Sequence, residues 1–286
     1  MSVLTQSYGS EARRGGAPVA NLQGSYDLYY ATGLYARRYP RPNRHVLRLI
    51  RSELGPAGGH VLDFGCGCGR YAVPLAGQPG ISVFAYDISP VAILELSRRC
   101  SEQARTGGPP LRLEILSGSL EDLTVRLDGE PHFDLVMLLF GVLGHIAGRA
   151  RRIALLRALR AKLLPGGRLI ASVPNRVRRF RREQHAAGRL IAQSELEPGD
   201  ITYERRSGDV AINLYYHLFS PAEFLGDLAE AGFAVSRLLP ESVLSERAVV
   251  SSPLCDAADT VLRGFVPLSL AYGFVAVARP ALSPAA

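Results

Sequence analysis

Val61-Leu62-Asp63-Phe64-Gly65-Cys66-Gly67-Cys68-Gly69-Arg70 is the stretch whose reading decides the fold. Val61 and Leu62 read as the end of a buried strand. Three glycines at alternate positions then let the backbone turn tightly and leave no side chain between it and a ligand. Tyr71–Ala76 follows as the opening of a helix whose free N–H groups point back at the loop. A strand, a glycine loop and a helix in this order make a nucleotide site.

Spacing decides which nucleotide. A dinucleotide fingerprint needs G-x-G-x-x-G, but its last position is Arg70, and the third glycine is Gly69. Ile81–Tyr86 reads as a second strand that ends at Asp87, where a carboxylate accepts hydrogen bonds from a ribose diol. Ser89-Pro90 caps and starts the next helix, completing a β-α-β unit. The G-x-G-x-G spacing, with Asp63 before it and Asp87 after it, resembles motif I of the class I S-adenosylmethionine-dependent methyltransferases. That resemblance implies S-adenosylmethionine as cofactor, held by Asp63, Gly65, Cys66, Gly67, Gly69, Asp87, Ile88, Ser119, Leu120 and Leu138.

The bulk composition sets outer bounds. At 286 residues, 47% hydrophobic and 21% charged, the chain suits one large α/β domain with additions. It has no apolar run of about 18 residues and no signal-peptide core, which predicts a cytoplasmic protein without a membrane span. Four cysteines fit a reducing compartment. Cys66 and Cys68 lie inside the glycine loop, with no second pair at zinc spacing, so no metal site is expected. The net charge of +7 permits an anionic partner. Lys162 is the sole lysine, however, so the basicity is an arginine bias and carries little functional weight.

Residues 1–24 show no period and predict a mobile tail, ahead of one domain over 25–280. Tyr26, Tyr29, Tyr30, Tyr35 and Tyr39 crowd in front of a helix at Arg44–Leu54, as a cap over the pocket or as packing for that helix. A helix at Val91–Cys100 should turn Ile93, Leu94 and Leu96 inward, before a third strand at Leu111–Leu116. Ser119 stands at the turn where the methyltransferase pattern usually has an acid for the adenine amino group, with Glu121 and Asp122 close behind.

Phe133–Phe140 reads as a fourth buried strand and Arg149–Leu164 as an amphipathic helix ended by Pro165-Gly166-Gly167. Arg168–Val173 is the fifth strand. Beyond it Arg176, Arg178, Arg179, Arg181, Arg182 and Arg189 meet one acid, Glu183, in a run that is either a solvated face or an RNA contact. Ile201–Glu204 and Val210–Phe219 form a hairpin about Ser207-Gly208-Asp209. Residues 25–43 and 175–219 are thus the cap and lid. Ser220-Pro221-Ala222-Glu223 has the form of a capping box. Phe233–Leu239 and Tyr272–Ala278 are the final strands, separated by an irregular stretch that contains Cys255.

This order is similar to the seven-stranded methyltransferase fold over roughly residues 44–279. The resemblance implies an α/β, Rossmann-like, mostly parallel sheet with an antiparallel strand near the C-terminus. Four shorter stretches resemble the family that methylates the carboxylate of carboxymethyl-type wobble uridines in tRNA: Arg38–Pro42, Leu143–His145 with Arg149–Arg152, Tyr215–Phe219, and Glu223–Leu225 with Glu230–Gly232. Gly144 departs from it, standing where many members carry a second histidine, and Ser-Val-Pro-Asn replaces their usual strand end.

The chemistry of methyl transfer leaves three function classes. A carboxylate acceptor needs no base but wants an arginine fork, for which Arg149 and Arg152 are the candidates, with tRNA held by residues 176–189. A small-molecule O- or N-methyltransferase is the second class, and a hydroxyl acceptor needs a base near its proton, for which His145 and His217 are the candidates. A non-catalytic cofactor-binding partner protein would need neither.

Overall fold

The computed structural model describes residues 21–128, 132–193 and 196–281. Its nine strands in chain order are β1 (Gly59–Phe64), β2 (Ile81–Asp87), β3 (Leu113–Ser117), β4 (Phe133–Leu138), β5 (Leu163–Pro174), β6 (Asp200–Ser207), β7 (Val210–His217), β8 (Phe233–Ser242) and β9 (Gly273–Pro280). Seven of them form one sheet in the order β3-β2-β1-β4-β5-β9-β8, and β6 and β7 pair as a separate hairpin. The first five sheet strands run parallel, while β9 is antiparallel to both β5 and β8. The expected sheet is therefore present. Its strand order reverses between β1 and β4, and the crevice beyond their carboxyl ends is where such sheets bind ligands.

The sheet is buried on both faces, and neighbouring residues divide between them. Leu62, Val136 and Leu138 join one core cluster, and Val61, Leu135 and Met137 join the other. That division is the two-residue period of a strand. Burying each such side chain contributes about 1.5–3 kcal/mol, enough to fix the register.

Helices fill in around this frame. α1 (Leu22–Ala31) and α2 (Leu34–Arg38) cover the site, and α3 (Arg44–Leu54) runs as read. α4 (Ala72–Ala76) and α5 (Pro90–Arg105) follow the glycine loop and β2, and α6 (Leu120–Arg126) follows β3. α7 (Arg149–Arg160), α8 (Arg181–Ala192) and α9 (Pro221–Glu230) come next. The Ser220–Glu223 capping box at the start of α9 is formed, with both reciprocal bonds in place.

Several boundaries correct the sequence reading. Most of the expected tail, residues 1–20, lies outside the described residues, but Asn21 caps α1 by accepting from Gly24 N–H, so residues 22–24 are helical. Leu94 is 72% exposed, whereas Ala92 and Leu96 are buried. Two residues turn a helix by about 200°, which puts Leu94 opposite that pair. Leu163–Gly167 opens β5 instead of closing α7, across an irregular register at Phe133 and Leu135. The stretch taken as irregular forms α10 (Glu246–Ser251) and α11 (Pro253–Leu262), each capped by a serine, Ser245 and Ser252. Among the described residues, no helix is long and apolar enough to cross a membrane.

Candidate active site

The glycine loop is held by backbone bonds to the neighbouring strand. Gly65 and Cys66 N–H both donate to the Tyr86 carbonyl, at 2.8 and 2.9 Å. Gly65 sits at φ +77°, and a Cβ there would lie 2.6 Å from a Val142 methyl carbon. Only glycine is accommodated at that position. Asp87 ties the loop to the next helix: its carboxylate accepts Gly67 N–H at 2.8 Å and Ser89 N–H at 2.9 Å. Burial, working against those two bonds, pushes its pKa up to about 6.

Asp63 is also buried, and burial with the nearby Asp87 pushes its pKa up to about 7. Among the described residues its Oδ2 has no hydrogen-bond partner. Two buried carboxylates beside a loop with glycine at every second position, one with an oxygen lacking any donor, fit a ligand that brings hydroxyl donors and positive charge. S-adenosylmethionine has a ribose diol, an ammonium and a sulfonium. Ile88, Ser119 and Leu120 line the same cavity as Gly65 and Asp87. Ser119 is engaged in the capping box of α6, with its hydroxyl 2.8 Å from Asp122 Oδ2. Against expectation, Asp63, Cys66, Gly67, Gly69 and Leu138 do not line the cavity. Cys66 points its thiol back to the Gly67 carbonyl, and Leu138 is sealed in the core one step short of Leu139 and Phe140, which do reach the cavity.

The cavity holds about 840 Å³ and runs without a break from the glycine loop to the β6–β7 hairpin. All five cap tyrosines line it, with Tyr30 and Tyr35 ring centroids 4.8 Å apart and Tyr29 edge-on to Tyr35. On β6, Tyr203 and Arg205 fall on the face that carries Tyr216 of β7, and all three line the cavity. Tyr215 and His217 alternate to the other face of β7.

His145 comes from the 3-10 turn Val142–His145 after β4. Its Nδ1 lies 2.9 Å from the Tyr215 carbonyl, so Nδ1 carries the proton and donates it there. Nε2 is then the acceptor and takes the Tyr26 hydroxyl at 2.5 Å. The ring stacks on Tyr216 with centroids 4.3 Å apart. Burial, helped by the charge of Arg179, pushes the His145 pKa down to about 4, while burial raises that of Tyr26. A neutral imidazole with a fixed tautomer therefore faces the cavity.

The other three expected catalytic residues are corrected. Arg152 is fully buried and pairs with Glu197 at 2.9 Å and Asp227 at 3.5 Å. Arg149 pairs with Asp227 and Glu230, both at 2.7 Å. His217 is held between Asp200 (2.6 Å to Nδ1) and Glu223 (2.8 Å to Nε2). Burial alone would lower its pKa, but the carboxylates raise it, and with an acceptor oxygen on each ring nitrogen the arrangement suits the doubly protonated ring. None of the three lines the cavity. Glu197, Asp200 and His217 do converge within 4.8 Å, but as members of this ion network.

The arginine run also splits up. Arg176 bonds to the Pro198 carbonyl and pairs with Glu223, and Arg178 bonds to the Leu270 carbonyl. Arg181, Arg182 and Arg189 are exposed on α8, and Arg179 turns into the cavity. The sequence pointed to Tyr26 only as part of the cap and to Arg179 only as part of the basic run, and did not mark Arg205 or Tyr216 as site residues. Alternation along β6 and β7 was the signal that pairs Tyr203, Arg205 and Tyr216.

The strand order, the glycine loop and the paired carboxylates define a class I S-adenosylmethionine-dependent methyltransferase, an enzyme whose cofactor is S-adenosylmethionine. The chain belongs to the Methyltransferase domain family, which matches residues 35–238. It is 32% identical over 142 residues to the ubiquinone biosynthesis O-methyltransferase of Xanthomonas axonopodis pv. citri (strain 306), covering 48% of this chain and 54% of that one. The chain thus spans about half the length of that curated relative. Two solved structures share the fold. The 1,6-didemethyltoxoflavin-N1-methyltransferase of Burkholderia thailandensis is 20% identical, with a TM-score of 0.57 and coverage of 94% of this chain and 92% of that one. The CcbJ methyltransferase of Streptomyces caelestis is 18% identical, with a TM-score of 0.55 and coverage of 85% and 91%.

Proposed function

We propose that the protein methylates a hydroxyl group of a small, flat acceptor enclosed in the tyrosine-lined cavity. The observation that carries this reading is that one cavity holds both the glycine-loop site and the Tyr26–His145 pair. Asp63, Asp87 and the loop would hold S-adenosylmethionine, which supplies an electrophilic methyl group on a sulfonium. The aromatic walls exclude water and fix the acceptor plane, which is most of what methyl transfer asks of an enzyme. His145 Nε2 is the proton acceptor. The proton leaves the acceptor hydroxyl for Tyr26 Oη while Tyr26 passes its own proton to Nε2. With a pKa of about 4, this base suits an acidic hydroxyl such as a phenol or enol better than an aliphatic alcohol. The O-methyltransferase relative supports a hydroxyl acceptor.

The wobble-uridine reading has less support. Its arginine fork is taken up in ion pairs, and a side chain at Gly144 would meet the Tyr216 ring at 2.8 Å. The test supplies purified protein and methyl-tritiated S-adenosylmethionine to two fractions of cell extract: tRNA, and RNA-free molecules of low mass. Label is expected in the low-mass fraction, and lost by about a hundredfold or more in His145→Gln. Label confined to tRNA would overturn the proposal.

A further inference from the structure

The far end of the cavity, away from the glycine loop, carries two positive charges that the mechanism above does not use. Arg179 and Arg205 both line it. Their guanidinium carbons sit over the same ring, Phe180, at 5.1 and 5.5 Å from its centroid. Arg179 also lies 5.5 Å over Tyr216, and Arg205 lies 4.6 Å over Tyr203. These three rings touch one another, so the two cations are set in an aromatic wall.

Among the described residues, neither arginine has a carboxylate within ion-pair distance, although their neighbours Arg176 and Arg206 do. Arg179 Nε is buried without any hydrogen-bond partner. Glu241 is the buried acid whose field reaches Arg179, but burial and Glu246 raise its pKa and so weaken its anionic form. Arg151, a third arginine on the cavity, is exposed at its rim.

The backbone is strained to hold this arrangement. Phe180, next to Arg179, adopts φ +56°, and Phe140 across the cavity adopts φ +61°. These are the only non-glycine residues with positive φ among those described; Phe140 lines the cavity, and Phe180 packs behind Tyr203 and Tyr216, which line it. Such strain at a site persists where the surrounding packing imposes it. Both arginines are half-buried, and a guanidinium whose Nε is sealed from water without a partner, as in Arg179, is costly unless something anionic meets the group.

We propose that Arg179 and Arg205 form an anion-binding pair, and that the methyl acceptor is an aromatic hydroxy acid. Its carboxylate or phosphate meets the two guanidinium groups while its hydroxyl faces Tyr26 and His145. This rests on the cavity being the acceptor site. Arginine suits the task because its planar fork matches an oxyanion and stacks on aromatic faces at once.

The test measures binding by calorimetry in the presence of S-adenosylhomocysteine. The probes are para-hydroxybenzoate, para-hydroxyphenylacetate and para-hydroxyphenylpropanoate, each against its neutral amide, with para-hydroxyphenyl phosphate as the phosphate arm. At least one acid should bind about tenfold or more tightly than its amide, as a charge-assisted pair implies. That preference should vanish in Arg205→Gln and Arg179→Gln and persist in part in Arg179→Lys, which keeps the charge. Equal binding of acid and amide, an acid preference that survives both glutamine variants, or no binding of any probe would each overturn the inference. Methylation of neutral phenols with equal binding of acid and amide would overturn it while leaving the hydroxyl-methylating reading intact. Label confined to tRNA in the extract assay would remove that reading itself.

Discussion

Two regions on either side of the β6–β7 hairpin treat the same residue types in opposite ways. In the ion network, Arg149, Arg152 and His217 meet Glu197, Asp200, Glu223, Asp227 and Glu230, so every cation has a carboxylate. In the cavity, Arg179 and Arg205 have none among the described residues, and His145 is neutral with one nitrogen turned to a tyrosine hydroxyl. The difference teaches that partners, not residue type, separate structural groups from reactive ones. A paired ion is already satisfied, whereas a guanidinium without a carboxylate, or a neutral base bonded to a hydroxyl that can relay a proton, is open to a ligand.

The largest effect should come from breaking the paired region. Arg152→Leu removes the fully buried guanidinium between Glu197 and Asp227, leaving Glu197 without its partner and the buried Asp227 with Arg149 alone. Urea unfolding should show a loss of about 3–5 kcal/mol, with cofactor affinity unchanged in the folded fraction. A loss below about 1 kcal/mol would show that the network is not a structural joint.

The cavity should respond in the reverse sense. Asp87→Ala should weaken S-adenosylmethionine binding by about 1.5–3 kcal/mol, read by calorimetry, with a smaller change in unfolding. Unchanged affinity would remove Asp87 from the site.

What was legible in the sequence follows the same division. The glycine loop, Asp63 and Asp87 could be read because their spacing is local and one backbone geometry demands it. The five tyrosines could be placed near the pocket by position alone. The roles of His145 against His217, and of Arg149 and Arg152 against Arg179 and Arg205, could not be assigned. Those roles depend on partners far away in the chain, such as Tyr26 for His145 and Asp227 for Arg149 and Arg152. The wobble-uridine resemblance drew on these same residue types without their partners.

A smaller effect sharpens the contrast through pH. The folded pKa of His145 lies near 4, below its unfolded value, so wild type loses stability relative to His145→Gln as pH falls from about 6.5 toward 4. The folded pKa of His217 is raised, so its contribution is complete below about 6.5 and is lost as pH rises through the folded value. The stability gap between wild type and His217→Gln should therefore shrink with rising pH. Thermal melts of the three proteins from about pH 4 to well above about 6.5 would show the His145 gap closing toward the acid end and the His217 gap closing toward the alkaline end, and gaps closing at the same end would contradict the assigned charge states.

The most direct test compares His145→Gln with His217→Gln for methyl transfer to low-mass acceptors, normalised to folded protein. His145→Gln should lose about a hundredfold or more with its fold intact, and whatever fraction of His217→Gln folds should turn over at near the wild-type rate. Full activity in His145→Gln, or inactivity in well-folded His217→Gln, would contradict it.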